Sequence, residues 1–598
     1  MGPRASERLD GAARLVLAHL VRDIQATVED QLRHATRAAL GDAYADADPM
    51  VRPADPQFGD YQANLALGLA KAARKKPRDI AQAIADQLAQ SPVISRVEVA
   101  GPGFINVTLS DAIILQTASR MYADPRLGVM PPDAPQRVVV DYGGPNLAKE
   151  MHIGHLRSSI IGDAIARVLR FAGHDVVLQN HIGDWGTQFG MLLEHLIDTG
   201  WDRSQDHSLS DLNLLYQDAK ARFDAEPAFA ERARQRVVKL QAGDEESLVF
   251  WRQLIAESCA HMNEVFERLG VLLTDQDLRG ESFFNSRLPA VVKDLRATGL
   301  LVESDGAQVV FCEGFTSKSG DPLPLIVQKS DGGYGYATTD LAAARFRIHE
   351  LGRNRLVYVV DSRQTDHFGM LFWTLRKSGW APDGVTLDYV PFGTILGADR
   401  KAFKTRSGGT VKLASVLDEA VTRARATIES KGRDLDATEL DHIARAVGVG
   451  AVKYADLSSD RIKDYIFDYE RMLSMEGNTA PYLQYAYVRV QSILRRAGES
   501  ALAAENLAIT DPIERRLMLE LLKLPRLIAV VAASLEPHRL CTYLYELASE
   551  VHQFHEHCPV LKAPDAATRT SRLVLSDLAG RTLKLGLELL GVTVVDRM

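Results

Sequence analysis

The chain has 598 residues, a formal net charge of −8 and four cysteines. That length is too great for one hydrophobic core and predicts roughly three to five domains, while no apolar run is long enough to span a bilayer. Cys259, Cys312, Cys541 and Cys558 are scattered, with no Cys-x-x-Cys pair; they point to a reducing cytoplasm and away from a disulfide framework or zinc ribbon.

In chain order, residues 1–120 read as a separate α+β module. Arg4, Glu7, Arg8 and Asp10 occupy the stretch where a signal peptide would carry its apolar core. Helical patterns over Glu7–Leu40 and Asp79–Gln90 flank the polar segment Asp55–Asn64, and Val97–Thr108 has the pattern of a hairpin. Lys71, Arg74, Lys75, Lys76 and Arg78 form a basic run that reads equally as a solvated face or as a phosphate-binding patch. The net acidity makes such local patches necessary for any RNA partner.

After the proline-containing linker Met130–Pro135, residues 130–400 change character. Gln136–Asp141 is the β-branched run of a buried parallel strand, and Ile160, Ile161, Ala164, Ile165, Val168 and Leu169 recur at helical spacing up to Gly173. Between them lies a Gly/Pro/Asn turn carrying His152 and His155. A nucleotide binds at this junction in open α/β sheets, facing a helix N-terminus. Two imidazoles there can donate to a triphosphate, and Gly154 between them leaves room for the base or ribose. Asp175–Gln179 is a second strand, leading into the loop His181–Gly190. A charged helical insertion covers roughly residues 200–270. Gln308–Cys312, Pro324–Gln328 and Arg355–Val360 read as strands, with helix entries at Gly335–Arg345 and Asp361–Gly369. This alternation predicts a doubly wound parallel sheet. Lys401–Lys412 is a Lys/Arg/Gly/Ser-rich loop opening a connector over 401–470, and from Leu413 onward the patterning is helical, with a bundle over 471–598. Tyr482–Arg496 is an aromatic and basic helix, compatible with core packing or RNA stacking. His552, His555, His557 and Cys558 are of metal-ligand type but lack a second ligand pair, so no protein-bound metal is expected.

Pro145-Asn-Leu-Ala-Lys-Glu-Met-His-Ile-Gly-His-Leu-Arg157 resembles the HIGH signature of class I aminoacyl-tRNA synthetases. With Asn146, Lys149 and Asn180–Gly190 added, it resembles the arginyl-tRNA synthetases. The resemblance runs nearly end to end: Phe58-Gly-Asp-Tyr61 and Gly101–Asn106 are similar to that family's N-terminal domain, and Asn478–Ala486 to the opening of its anticodon-binding domain. It implies a Rossmann-like catalytic domain, an N-terminal domain docking on the outer corner of tRNA, and an all-α anticodon-binding domain. It also implies a cytoplasmic monomer that uses ATP, with Mg²⁺ on the nucleotide, to join L-arginine to tRNA(Arg). The tRNA is expected to bind before arginine is activated, and transfer goes to the 2′-hydroxyl of the terminal adenosine.

By the same resemblance Lys149, His152, His155 and Lys404 are catalytic, and His152, Gly154, His155, Lys404 and Arg406 bind ATP. Asp141, Asn146, His155, Tyr336, Asp340 and Gln364 bind arginine, and Tyr482, Gln484, Tyr485 and Arg489 bind tRNA. A guanidinium is planar, always charged and costly to desolvate alone, so acids at its site are chemically required. Two departures from the family pattern stand out. Phe403-Lys-Thr-Arg-Ser-Gly408 replaces the usual KMSKS signature and lacks its late lysine, a role the resemblance gives to Lys149. Gly143-Gly144 stands where small hydroxyl residues or alanine are more usual.

Overall fold

The computed structural model describes residues 23–147, 150–200, 209–403, 411–432, 435–498 and 502–598. Parts of two expected helical stretches, residues 7–22 and 201–208, lie outside them. Helix α1 (Ile24–Leu40) starts at Asp23, whose carboxylate accepts from the Gln25 amide. It packs over a four-stranded antiparallel sheet ordered β1 (Val51–Pro53), β2 (Tyr61–Ala63), β4 (Phe104–Leu109) and β3 (Ile94–Ala100). β3 and β4 are the expected hairpin. Between β2 and β3 run α2 (Leu65–Ala73), which begins directly after the polar segment and is not among the expected helices, and α3 (Pro77–Leu88). Lys71 on α2, Arg74, Lys75 and Lys76 in the turn joining the two helices, and Arg78 on α3 are all exposed, as a solvated face and a phosphate-binding patch both require. This module is fastened to the C-terminal helices by ion pairs: Arg515 forks onto Asp60, and Arg526 reaches Asp23 and Glu29.

The central sheet is parallel, in the order β11 (Thr386–Phe392), β10 (Arg355–Asp361), β5 (Arg137–Asp141), β6 (Asp175–Gln179). Val138, Val139 and Val140 of β5 are fully covered, as a strand with helices on both faces must be. Helix α4 (Leu156–Ala172) connects β5 to β6 and ends at Gly173, in the left-handed conformation with φ 102°. β11 went unread because Asp388 and Pro391 interrupt its apolar pattern.

One expectation is corrected. Gln308–Cys312 and Pro324–Gln328 do not enter the parallel sheet; they belong to β8 (Ala307–Thr316) and β9 (Pro322–Gln328), antiparallel partners that with β7 (Val302–Ser304) make a separate small sheet. Their connection, residues 317–321, is far shorter than the dozen or so residues that a parallel crossover takes. Helix α5 (Thr187–Thr199) precedes the insertion, whose described residues are helical as expected: α6 (Leu209–Ala225), α7 (Pro227–Gln241) and α8 (Glu245–Leu269). The C-terminal third is helical apart from β13 (Tyr465–Ile466), which pairs in parallel with β12 (Ile395–Leu396). No described helix is long and apolar enough to cross a membrane.

Candidate active site

The carboxyl ends of β5 and β10 open into one cavity of about 630 Å³. Asp141, Asn146, His152, Gly154, His155, Tyr336, Asp340 and Gln364 all line it. Residues more than 200 positions apart in sequence are thus gathered by the topological switch between neighbouring parallel strands. Lys149, Lys404 and Arg406 lie outside the described residues.

The two imidazoles are held by backbone. His152 Nδ1 accepts from the Gly154 amide at 3.0 Å, and the His152 amide donates to His155 Nδ1 at 3.1 Å. The rings stack with centroids 4.0 Å apart. With both Nδ1 atoms accepting, the neutral rings carry their protons on Nε2, so each presents one N–H donor. A Cβ on Gly154 would come within 2.8 Å of His152 Cε1, which is why glycine sits there. Helix α4 begins immediately after, adding its N-terminal dipole to the same locus.

The stretch before them turns on Gly143 and Gly144, with φ of 88° and 49°. Both are in the region that side-chain-bearing residues avoid, and a Cβ on Gly143 would meet Leu273 and Phe266 at 3.1–3.3 Å. The departure noted in the sequence is therefore a requirement of this turn. The Gly143 amide donates to Ser158 Oγ and the Gly144 amide to Asn180 Oδ1, pinning the turn to α4 and to the end of β6. Asn146 reaches the cavity over Gly183, where any Cβ would lie 2.1 Å from Asn146 Oδ1.

At the opposite side the cavity is acidic. Asp340 accepts from His367 Nε2 at 2.7 Å, and His181 Nε2 lies 3.6 Å from its other oxygen. Tyr336, 66% exposed, tilts over the His367 ring at 4.8 Å and projects into open space. Glu281 joins them, a residue that sequence reading missed because Leu278-Arg-Gly-Glu281 carries no periodic signal. Burial pushes the Glu281 carboxyl up to about 7, opposed by His181 and reinforced by Asp184 and Asp340. Asp141 is differently engaged. Its Oδ2 accepts from buried Arg347 at 2.8 Å, while its Oδ1 accepts from the His181 amide at 3.3 Å. Arg347 also donates to Gln179 and stacks over Tyr358, 5.0 Å from the ring centroid. It stands on a π-helical turn, Phe346–Glu350, that continues α9 (Tyr336–Arg345). Asp141 is thus ion-paired to Arg347 at the strand end, while Asp340 and Glu281 line the same cavity.

On the first helix of the C-terminal bundle, α10 (Ala480–Ala497), the expected RNA-facing residues divide. Tyr482, Tyr485 and Arg489 share one face and gather around His552, whose ring lies 5.0 Å from Tyr482 and 6.3 Å from Tyr485. Gln484 is corrected: it is fully buried, its amide donating to Ala446 O on a neighbouring helix and to Thr593 O beyond the last helix, so it ties these segments together and presents nothing to a partner.

Comparison with known proteins covers nearly the whole chain. The profile "tRNA synthetases class I (R), catalytic domain" matches residues 122–469, "DALR anticodon binding domain" residues 483–598, and "Arginyl tRNA synthetase N terminal domain" residues 23–109. The protein named arginine--tRNA ligase from Frankia casuarinae is 50% identical, covering 97% of this chain and 100% of its own length. Its namesake from Salmonella paratyphi B is 49% identical, covering 96% and 100%. Among solved structures, arginyl-tRNA synthetase of Plasmodium falciparum superposes with a TM-score of 0.82 at 30% identity, over 96% of this chain and 99% of that one. The Thermus thermophilus enzyme follows with 0.78 at 27%, over 96% and 100%.

Proposed function

The chain belongs to the arginyl-tRNA synthetase family, and from that premise we propose how its cavity activates arginine and passes it to tRNA. The observation that carries the reading is the polarity of the cavity, with two Nε2–H donors and a helix N-terminus on one side and Asp340 and Glu281 on the other. ATP lies along His152, Gly154 and His155. The arginine guanidinium lies between Asp340 and Glu281, with Tyr336 against its face and Asn146 and Gln364 holding the α-amino and α-carboxylate groups. The carboxylate oxygen attacks the α-phosphorus, the bond to the β,γ-pyrophosphate breaks, and charge growing on the phosphate oxygens is met by the imidazole N–H groups. Lys149, Lys404 and Arg406 supply cations to the same phosphates. The 2′-hydroxyl of the terminal adenosine then attacks the acyl carbonyl, and AMP leaves. Mg²⁺ would enter with the nucleotide, held by its phosphate oxygens and water, and would neutralise charge on those phosphates. A cytoplasmic monomer is the setting we infer for this reaction.

ATP–pyrophosphate exchange with L-arginine, run with and without cognate tRNA, tests the reading. Exchange is expected only with tRNA present. Exchange without tRNA would keep the enzyme and discard the tRNA requirement, and no exchange from folded protein would discard the activity.

The ionisation of Glu281 gives a pH signature. Its carboxylate binds the guanidinium only when deprotonated, and its proton is held up to about 7. The KM for arginine is therefore expected to rise as pH falls below 7, approaching about tenfold per unit, and to level off above it. In Glu281→Gln the KM should be high and flat over that window; a retained slope would assign the titration elsewhere.

Neutralising Lys71, Arg74, Lys75 and Lys76 together is expected to make log Kd for tRNA less steep against log salt, by about 0.7–0.9 for each phosphate that these cations neutralise in the complex. An unchanged slope would make the run a merely solvated surface.

A further inference from the structure

Two stretches some 250 residues apart bear on the ATP reading, the His152–His155 turn, which lines the cavity, and the stems Ile395–Phe403 and Val411–Leu413. On the far side they are joined directly: the Ile153 amide donates to Val411 O and the Leu413 amide to Met151 O, both at 2.9 Å. On the near side, Phe403 donates its amide to Ile395 O, so β12 carries that stem. What positions β12 relative to the histidines is a third segment, Asp460–Ile466. β13 pairs with β12, the Gly393 amide donates to Arg461 O at 2.9 Å, and the Thr394 amide to Asp464 Oδ1 at 2.6 Å. A Cβ on Gly393 would lie 2.6 Å from Asp464 Oδ1 and 2.8 Å from Ile462 O, so the two segments approach each other backbone to backbone.

The other end of this segment is tied to the histidine turn through Arg157, two residues after His155 and in the first turn of α4. Its guanidinium donates to Lys463 O at 3.0 Å and pairs with Asp456 at 3.1 Å, with Tyr465 and Phe392 against it at 5.3 and 5.9 Å. Both charged side chains are 0% exposed. A fully buried ion pair is a poor way to gain stability, because desolvation offsets most of the attraction. Its geometry, by contrast, is demanding, since a planar fork fixes both partners.

We propose that Arg157 and Asp456 are positioning residues for adenylation: they set the Asp460–Ile466 segment, and through β12 the stem before Lys404, in register with His152 and His155. This rests on the ATP-site reading above. Among the described residues, Asp340 and Glu281 make no hydrogen bond or ion pair with Arg157 or Asp456.

The test replaces the ion pair without orphaning a charge. Arg157→Met combined with Asp456→Leu fills the site with apolar volume, and Arg157→Lys keeps the charge pair while losing the fork to Lys463 O. Tm and ATP–pyrophosphate exchange are measured for each. The double variant is expected to keep its Tm and lose about a hundredfold in kcat, the scale of a small misplacement of reacting groups, with KM for arginine unchanged. Arg157→Lys is expected to show a smaller loss in kcat of the same kind, and it carries the test if the double variant fails to fold. Either folded variant with kcat within about twofold of the parent overturns the proposal, as does a rise in the KM for arginine that matches the fall in kcat. An inactive parent removes the activity reading itself, whereas an active parent with active variants removes this inference alone.

Discussion

Arg347→Ala is expected to destabilise the protein by about 3–5 kcal/mol, although Arg347 is closed off from solvent and touches no substrate in the proposed reaction. The side chain is 1% exposed and its partner Asp141 13%. Truncating it takes the ion-pair partner from a carboxylate held at the carboxyl end of β5, removes the donor to Gln179 on β6 and uncovers the Tyr358 ring on β10. Three adjacent strands lose their common tie. The orphaned Asp141 carboxylate is left at the strand end without its ion-pair partner, which is the larger part of the cost. Denaturant unfolding of parent and variant at pH 7.5 checks the magnitude. Arg347→Met with Asp141→Leu should recover most of the stability, because no charge is left unpaired. A double variant as unstable as the single would place the effect in packing and not in the orphaned carboxylate.

The same residue illustrates what the sequence conceals. Strand β5, the Gly/Pro/Asn turn and helix α4 are readable because each obeys local rules: a β-branched run, turn residues, a 3.6-residue repeat closed by Gly173. Eight described site residues are legible through their motifs, and all line one cavity. Arg347 is not, because nothing in Phe346–Glu350 marks a π-helical turn or says that a charge in it points inward. Glu281 stays hidden for a related reason: its importance comes from burial beside His181 and Asp340, partners 100 and 59 positions away. Gln484 fails in the opposite direction. Its neighbours Tyr482 and Tyr485 belong to a recognisable motif, but two positions along a helix is a change of face, and Gln484 lies on the inner one. Gln308–Cys312 and Pro324–Gln328 are recognisable as strands but not by sheet, since pairing direction depends on connection length and not on strand composition.

Lys149→Ala is expected to cut adenylate formation by about 10²–10³ with little change in Tm. The argument begins with charge. Moving the α-phosphorus from pyrophosphate to the arginine carboxylate requires cations on phosphate oxygens through the transition state, and the imidazoles of His152 and His155 are fixed as neutral N–H donors by the amides they accept from. The loop Phe403–Gly408 brings Lys404 and Arg406 but has Ser407-Gly408 where a further lysine would complete the usual signature. Lys149 precedes His152 by three residues, and the chain around it is anchored: the Leu147 amide donates to Gly183 O on one side, and Met151 and Ile153 make backbone hydrogen bonds with Leu413 and Val411 on the other. We propose that this lysine supplies the missing charge. An interaction made only as charge develops lowers kcat and kcat/KM together when it is removed, while the KM for arginine stays close to that of the parent. Single-turnover adenylate formation in the presence of tRNA resolves this from product release. Near-normal turnover in Lys149→Ala would return the charge to Lys404 and Arg406 alone; addition of Ser407→Lys to an impaired Lys149→Ala variant would then show whether a cation can be supplied from either stretch of chain.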